Sequence, residues 1–379
     1  MTEQAGTTTE EIIQIAGAGP AGLTAAIVLA QAGRQVIVHE AQGEVGSRFG
    51  RDFQGLENWS TTGDVLTLMQ QEGLDTSFTA MPCHDGTVFD AQGAAYPIHC
   101  DRPIFYMIER GPGPGSLDSA LLAQARALGV EVRFNSRLKH LHGPGILAAG
   151  PRAADAIAVG YHFDTDMEDG FWAICDDNLA PKGYAYLLVM GGRGTLKSCM
   201  FADFKHEKTY VERTVEAFQR LTGVQMKHPV PHGGAGNFRI PQSACSGVHP
   251  QVGEQAGFQD TLWGFGIRLA MASGRLAAQS LLTGENYDTL WRRELLPQME
   301  TSVVNRALYS LVGNRGYRWF LRRLSSRKDI RRSLGRQYRP SWPKRVLLPW
   351  ANGRYQSQRQ DVSCNHVDCH CVWCRGCSY

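Results

Sequence analysis

Residues 17–22 read Gly17-Ala18-Gly19-Pro20-Ala21-Gly22, and no other segment restricts the fold of this chain as tightly. They follow a short apolar run, IIQIA (12–16), and open an alanine- and leucine-rich stretch, LTAAIVLAQAG, that ends at Gly33. A second apolar run, QVIVHE, finishes on Glu40. Strand, glycine turn, helix and strand make a βαβ unit. Gly17 allows the tight turn, Gly19 lets the backbone approach a pyrophosphate, and Gly22 lets helix pack closely on strand. The N–H groups of the helix start, around Pro20 and Ala21, offer an anion site. Glu40 stands where a carboxylate accepts ribose hydroxyls, which argues against a bound 2′-phosphate.

A second glycine-rich turn lies far downstream. Residues 253–276 read GEQAGFQDTLWGFGIRLAMASGRL, in which Gly253 and Gly257 punctuate a turn and Gly264 and Gly266 precede a helix starting near Ile267. Free N–H groups and the positive dipole end of such a helix can face the electron-rich side of a reduced ring system.

Together the two blocks resemble the large flavoprotein superfamily of aromatic hydroxylases, lycopene cyclases and geranylgeranyl reductases. The later block is most similar to the geranylgeranyl reductase branch: Ala256, Gly257, Phe258, Asp260, Gly264, Gly266, Ile267, Ala270, Ser273 and Gly274 match its motif. The resemblance implies FAD as cofactor and a fold of the α/β class. It implies a Rossmann-like FAD-binding domain, an inserted antiparallel-sheet substrate domain and a helical, Cys-rich C-terminal region. It also implies hydride transfer from reduced flavin to a carbon–carbon double bond of an apolar, isoprenoid or lipid-like substrate. A flavin monooxygenase using NADPH and oxygen and an electron-transfer flavoprotein remain the alternatives. Glu254 replaces the family's ribityl-binding Asp, and the middle motif is degraded to LAAGPRAADA (147–156). That departure favours an electron-donor protein beside, or in place of, NADPH. Where the reductases carry a Cys-Gly-Gly run, this chain has Gly46-Ser47-Arg48-Phe49-Gly50, so Arg48 is placed against the ribityl or phosphate groups.

Between the blocks, TVFDAQGAAYPI (87–98) reads as a hairpin turning at Gln92-Gly93, residues 116–129 as an amphipathic helix and VEVRFNSRL as a returning strand. From Ala156, alternating runs predict antiparallel strands whose aromatics (Tyr161, Phe163, Phe171, Trp172, Tyr184, Tyr186) are candidates for a substrate pocket or for plain core. The expected boundaries are 1–155 and 241–287 for the FAD domain, 156–240 for the sheet, 288–359 for a basic helical region and 360–379 for the tail. No nucleophile triad or paired carboxylates can be read, which leaves the chemistry to the cofactor.

Charge is distributed unevenly. Residues 292–359 hold 17 Lys/Arg against three acids, while the formal net charge of the whole chain is only +3. Trp319, Phe320, Leu321 and Leu324 interleave with Arg318, Arg322 and Arg323, a pattern that suits peripheral contact with a membrane or packing on the acidic body. No nucleic-acid motif accompanies the charge. There is no apolar run of membrane-spanning length and no secretory start, so the expected location is cytoplasmic, with peripheral contact at the inner membrane face. The last sixteen residues gather Cys364, Cys369, Cys371, Cys374 and Cys377 with His366 and His370. These spacings admit an iron–sulfur cluster, a structural zinc or a redox dithiol.

Overall fold

The structure, a computed structural model, describes residues 11–354 apart from 139, 152, 153 and 239. The five tail cysteines named above lie outside the described residues.

A four-stranded parallel sheet forms the nucleotide layer. Its spatial order is Glu131–Arg133, Val36–His39, Ile13–Ala16, Gly145–Leu147. Chain order reverses between the last two, which opens a crevice at the carboxyl ends of the strands. Helix Pro20–Gln31 buries eight of its twelve residues, so it carries little amphipathic pattern. It is covered on the far side by helix Ile267–Thr283. That contact requires Gly274, because a Cβ there would stand 2.1 Å from the Ala21 carbonyl oxygen.

A seven-stranded sheet forms a roof. Its order is Lys227–Gly236, Ala156–Asp164, Arg193–Met200, Tyr184–Met190, Gly170–Cys175, Asp85–Asp90, Ala95–His99. The hairpin Asp85–His99 therefore completes the roof, pairing in parallel with Gly170–Cys175, rather than the nucleotide sheet. The segment HGGAGN, rich in glycine and poor in strand formers, becomes the roof's edge because Ala156–Asp164 supplies its ladder. Alternation along the strands divides the aromatics. Phe163 and Trp172 pack outward beneath the amphipathic helix Glu207–Thr222, whereas Phe171, Tyr184 and Tyr186 face the other way, toward Phe105 and Trp263.

Four helices follow: Tyr287–Glu294, Leu296–Ser325, Ile330–Gln337 and Trp342–Arg354. The long one is broken at Gly313 (φ 54°, ψ −165°). Leu321 and Leu324 are buried against the roof's edge and Phe320 is half-buried, so the face expected to meet a membrane is mostly core; only Trp319 points out. Asp260 joins these helices to the body. Its buried carboxylate accepts hydrogen bonds from the hydroxyls of Ser302 and Tyr338 and from the Trp263 N–H. Burial pushes its pKa upward.

Candidate active site

The glycine turn leaves strand Ile13–Ala16 at the crevice. Gly17 has φ +113°, and a Cβ there would meet the Ala148 carbonyl oxygen at 2.2 Å; at Gly22 it would meet the Gly17 oxygen at 2.0 Å. Gly19 is different: a Cβ there meets nothing within 4 Å. The space over Gly19 is thus open, and the helix beginning at Pro20 has no side-chain cap. Its first N–H groups are available to an anion. Glu40 lies across the turn, with Oε2 2.8 Å from the Ala18 nitrogen and Oε1 3.0 Å from the Gln42 nitrogen. Each oxygen keeps a lone pair for a further donor.

The second block closes over the same crevice. The Gly253 N–H donates to Ser273 Oγ (2.9 Å), and a Cβ on Gly253 would lie 3.1 Å from that of Ala21. Gln255 Oε1 accepts from the Ala149 N–H at 2.6 Å, while its buried Nε2 has no partner among the described residues. Gly257 and Gly264 form the turn that Asp260 pins, and Gly266 precedes helix Ile267–Thr283, again with no side-chain cap. By contrast, Asp64, Ser116, Asn286 and Asp329 cap their helices with side chains. Two uncapped helix starts, an open glycine cradle, a carboxylate over it and an orphaned amide fit a dinucleotide with a pyrophosphate and a ring system. Arg48 and Glu254 meet at 2.6 Å, one from each block. Arg48 is thus paired with the residue that replaces the ribityl-binding Asp.

Beneath the roof lies a constellation that sequence reading did not find. Lys197 Nζ stands 2.6 Å from Asp52 Oδ2 and donates to His232 Nδ1 at 2.8 Å. His162 Nε2 donates to Asp52 Oδ1 at 3.0 Å, and His232 Nε2 donates to the Arg48 carbonyl at 3.1 Å. The two imidazoles stack with centroids 4.2 Å apart. Burial would raise the pKa of Asp52, but Lys197 and His162 overcome it and hold the carboxylate well below its ordinary range. Burial lowers the pKa of Lys197 against the pull of Asp52. Burial, then Lys197, push His232 down to about 4. Asp52, His162 and His232 have the ligand types and proximity for a metal, yet the Lys197 ammonium already sits against two of them. The four residues come from four segments, and the sole local signal was a lysine inside the apolar strand TLKSCM.

The roof's underside is otherwise aromatic. Tyr184 donates to the Trp263 carbonyl at 2.5 Å, Trp263 stacks edge-on with Tyr184 and Tyr309, and Phe265 meets Trp59 and Phe105. Tyr184, Tyr186, Trp263 and Phe265 are half-buried between roof and second block. Cys175 and Cys199 belong to the same interior, and burial pushes their thiols up to about 11 and 12, so they stay protonated.

Comparison with known proteins agrees with this geometry. A family model described as an FAD binding domain matches residues 10–148. Digeranylgeranylglycerophospholipid reductase of Haloferax volcanii is 23% identical over 368 residues, covering 80% of this chain and 86% of that protein. A geranylgeranyl bacteriochlorophyll reductase-like protein from Thermoplasma acidophilum superposes with TM-score 0.68 at 18% identity, over 91% of this chain and 98% of its own. p-Nitrophenol 4-monooxygenase from Pseudomonas putida gives 0.62 at 15% identity, over 92% and 100%. At such identities the structural likeness speaks for the fold.

Proposed function

Because the chain is a geranylgeranyl-reductase-like FAD-dependent oxidoreductase, we propose that it reduces a carbon–carbon double bond of an apolar, isoprenoid or lipid-like substrate. The observation that carries this reading is the aromatic underside of the roof, where Tyr184, Tyr186, Trp263 and Phe265 meet the second glycine block. Such a surface favours a hydrocarbon over a polar substrate. Gly17, Gly19, Pro20, Ala21 and Gly22 would hold the pyrophosphate and Glu40 the ribose. Arg48, Gly253, Glu254, Gly257, Gly264, Gly266 and Ile267 would frame the flavin end. Reduced FAD supplies a hydride when bound.

Reduction breaks the π bond and forms two C–H bonds, so the second carbon needs a proton. Lys197, paired with Tyr186 across the roof's ladder, is a buried acid with a proton to spare: two of its three N–H groups are used, on Asp52 and His232. Burial eases release of that proton. His162, partly open to solvent, would replenish the cluster through Asp52. A buried lysine whose pKa is lowered gives up its proton more readily than one in water, which suits it to proton transfer.

The deciding experiment is an anaerobic single turnover. Chemically reduced, FAD-loaded protein is mixed with a geranylgeranyl-bearing phospholipid, with flavin absorbance and product mass followed together. Flavin reoxidation matched by the gain of two hydrogens per double bond supports the reading. Turnover that instead requires oxygen and yields a hydroxylated product would replace it with the monooxygenase alternative. Comparing NADPH with a reduced ferredoxin as reductant identifies the electron donor.

A further inference from the structure

The C-terminal helices leave an apolar and basic face uncovered. Among the described residues ten large hydrophobic side chains are exposed, and six of them fall between positions 308 and 346: Leu308, Leu311, Val312, Trp319, Trp342 and Val346. Trp342 is 77% and Trp319 64% exposed, a costly state for the largest apolar side chain. Trp319 lies on the side of its helix opposite the buried Tyr317, Leu321 and Leu324, and Trp342 and Val346 share a helix with buried Ala351. The last helix is tied to the long one, since Asn305 and Lys344 both donate to the Gln337 carbonyl and Ala351 packs with Val304 and Ala307.

Charge surrounds these side chains. Residues 292–354 contain sixteen Lys/Arg and three acids. Arg315, Arg322 and Arg323 are exposed around Trp319, and Arg323 lies over its ring at 5.7 Å. Among the described residues no helix is long and apolar enough to cross a bilayer. We propose that this face docks the protein on a membrane surface carrying anionic lipid. Trp319 and Trp342 seat at headgroup depth, and the surrounding arginines lie against lipid phosphates. Charge alone would suit an acidic protein equally well; the exposed tryptophans favour a bilayer, because indole combines apolar area with an N–H that stays in the polar layer.

The test uses FAD-loaded, full-length protein floated with vesicles of phosphatidylcholine alone or mixed with phosphatidylglycerol. Binding is expected only with the anionic lipid, and high salt should weaken it. Arg315→Gln/Arg322→Gln should lower the partition coefficient about 30-fold, at one arginine's worth each. Trp319→Ser/Trp342→Ser should lower it about tenfold or more, and neither pair should move the thermal unfolding midpoint, since all four side chains are exposed. Absence of binding to anionic vesicles overturns the proposal, as does binding that both double variants retain in full. A dimer in solution that these substitutions dissolve, with vesicles ignored, would also overturn it and assign the face to a second copy.

Discussion

Lys197 and Asp52, 145 positions apart in the chain, form a 2.6 Å ion pair between the roof and the loop after the first βαβ unit, with side chains only 2% and 3% exposed. A pair this deep contributes little net attraction, since both ions gave up hydration to form it; removing one partner strands the other. Lys197→Met and Asp52→Asn should therefore each cost about 3–5 kcal/mol of unfolding free energy. The double variant should cost less than their sum, as read by urea denaturation. Single losses below about 1 kcal/mol would contradict the pairing.

The same cluster sets a pH dependence. His232 is held down to about 4, so below its ordinary value near 6.5 the unfolded chain takes up a proton that the folded one resists. Stability from this group is complete above about pH 6.5 and lost as the pH falls toward about 4, by roughly 2 kcal/mol after allowing for partial exposure. Asp52, also lowered, adds a further loss below about pH 4. Denaturation at several pH values should show His232→Gln flattening the upper part of that slope.

Two glycines separate cofactor binding from folding. Gly19 is extended (φ −77°, ψ 176°) with open space around it, so Gly19→Val should leave the apoprotein's stability nearly unchanged while weakening FAD binding at least about tenfold. Gly274→Ala drives a methyl group into the Ala21 carbonyl oxygen and should lower apoprotein stability by about 2–3 kcal/mol. Calorimetry without FAD and fluorescence titration with it separate the two outcomes.

Arg306 is fully buried. It donates to the Lys182 carbonyl at 2.5 Å and lies between the rings of Phe201 (3.9 Å) and Tyr309 (4.7 Å), while Nε and Nη2 have no partner among the described residues. Arg306→Met keeps the volume and removes two unsatisfied donors, so stability should change by less than about 1 kcal/mol or rise. Arg306→Ala leaves a cavity beneath the aromatic rings and should cost about 3 kcal/mol or more. Thermal unfolding of the two variants checks the contrast.

The first βαβ unit was legible from residues 12–40 because its determinants are local: apolar runs of strand length, glycines at fixed offsets and an acid at the end of the next strand. The second turn and its helix were legible for the same reason. Tertiary structure decided what local spacing cannot reach. Register chose which aromatics of the roof face inward, since a strand sends successive side chains to opposite sides. Ladder pairing turned the glycine-rich segment 232–237 into strand up to Gly236 and took the hairpin 85–99 from the nucleotide domain into the roof. Core packing reversed the reading of Leu321 and Leu324, because a helix of mixed composition buries whichever face its neighbours cover. The meeting of Asp52, His162, Lys197 and His232 depended on chain closure across up to 180 residues. Each carries only an ordinary polar side chain until burial lowers the local dielectric and makes their charges bear on one another.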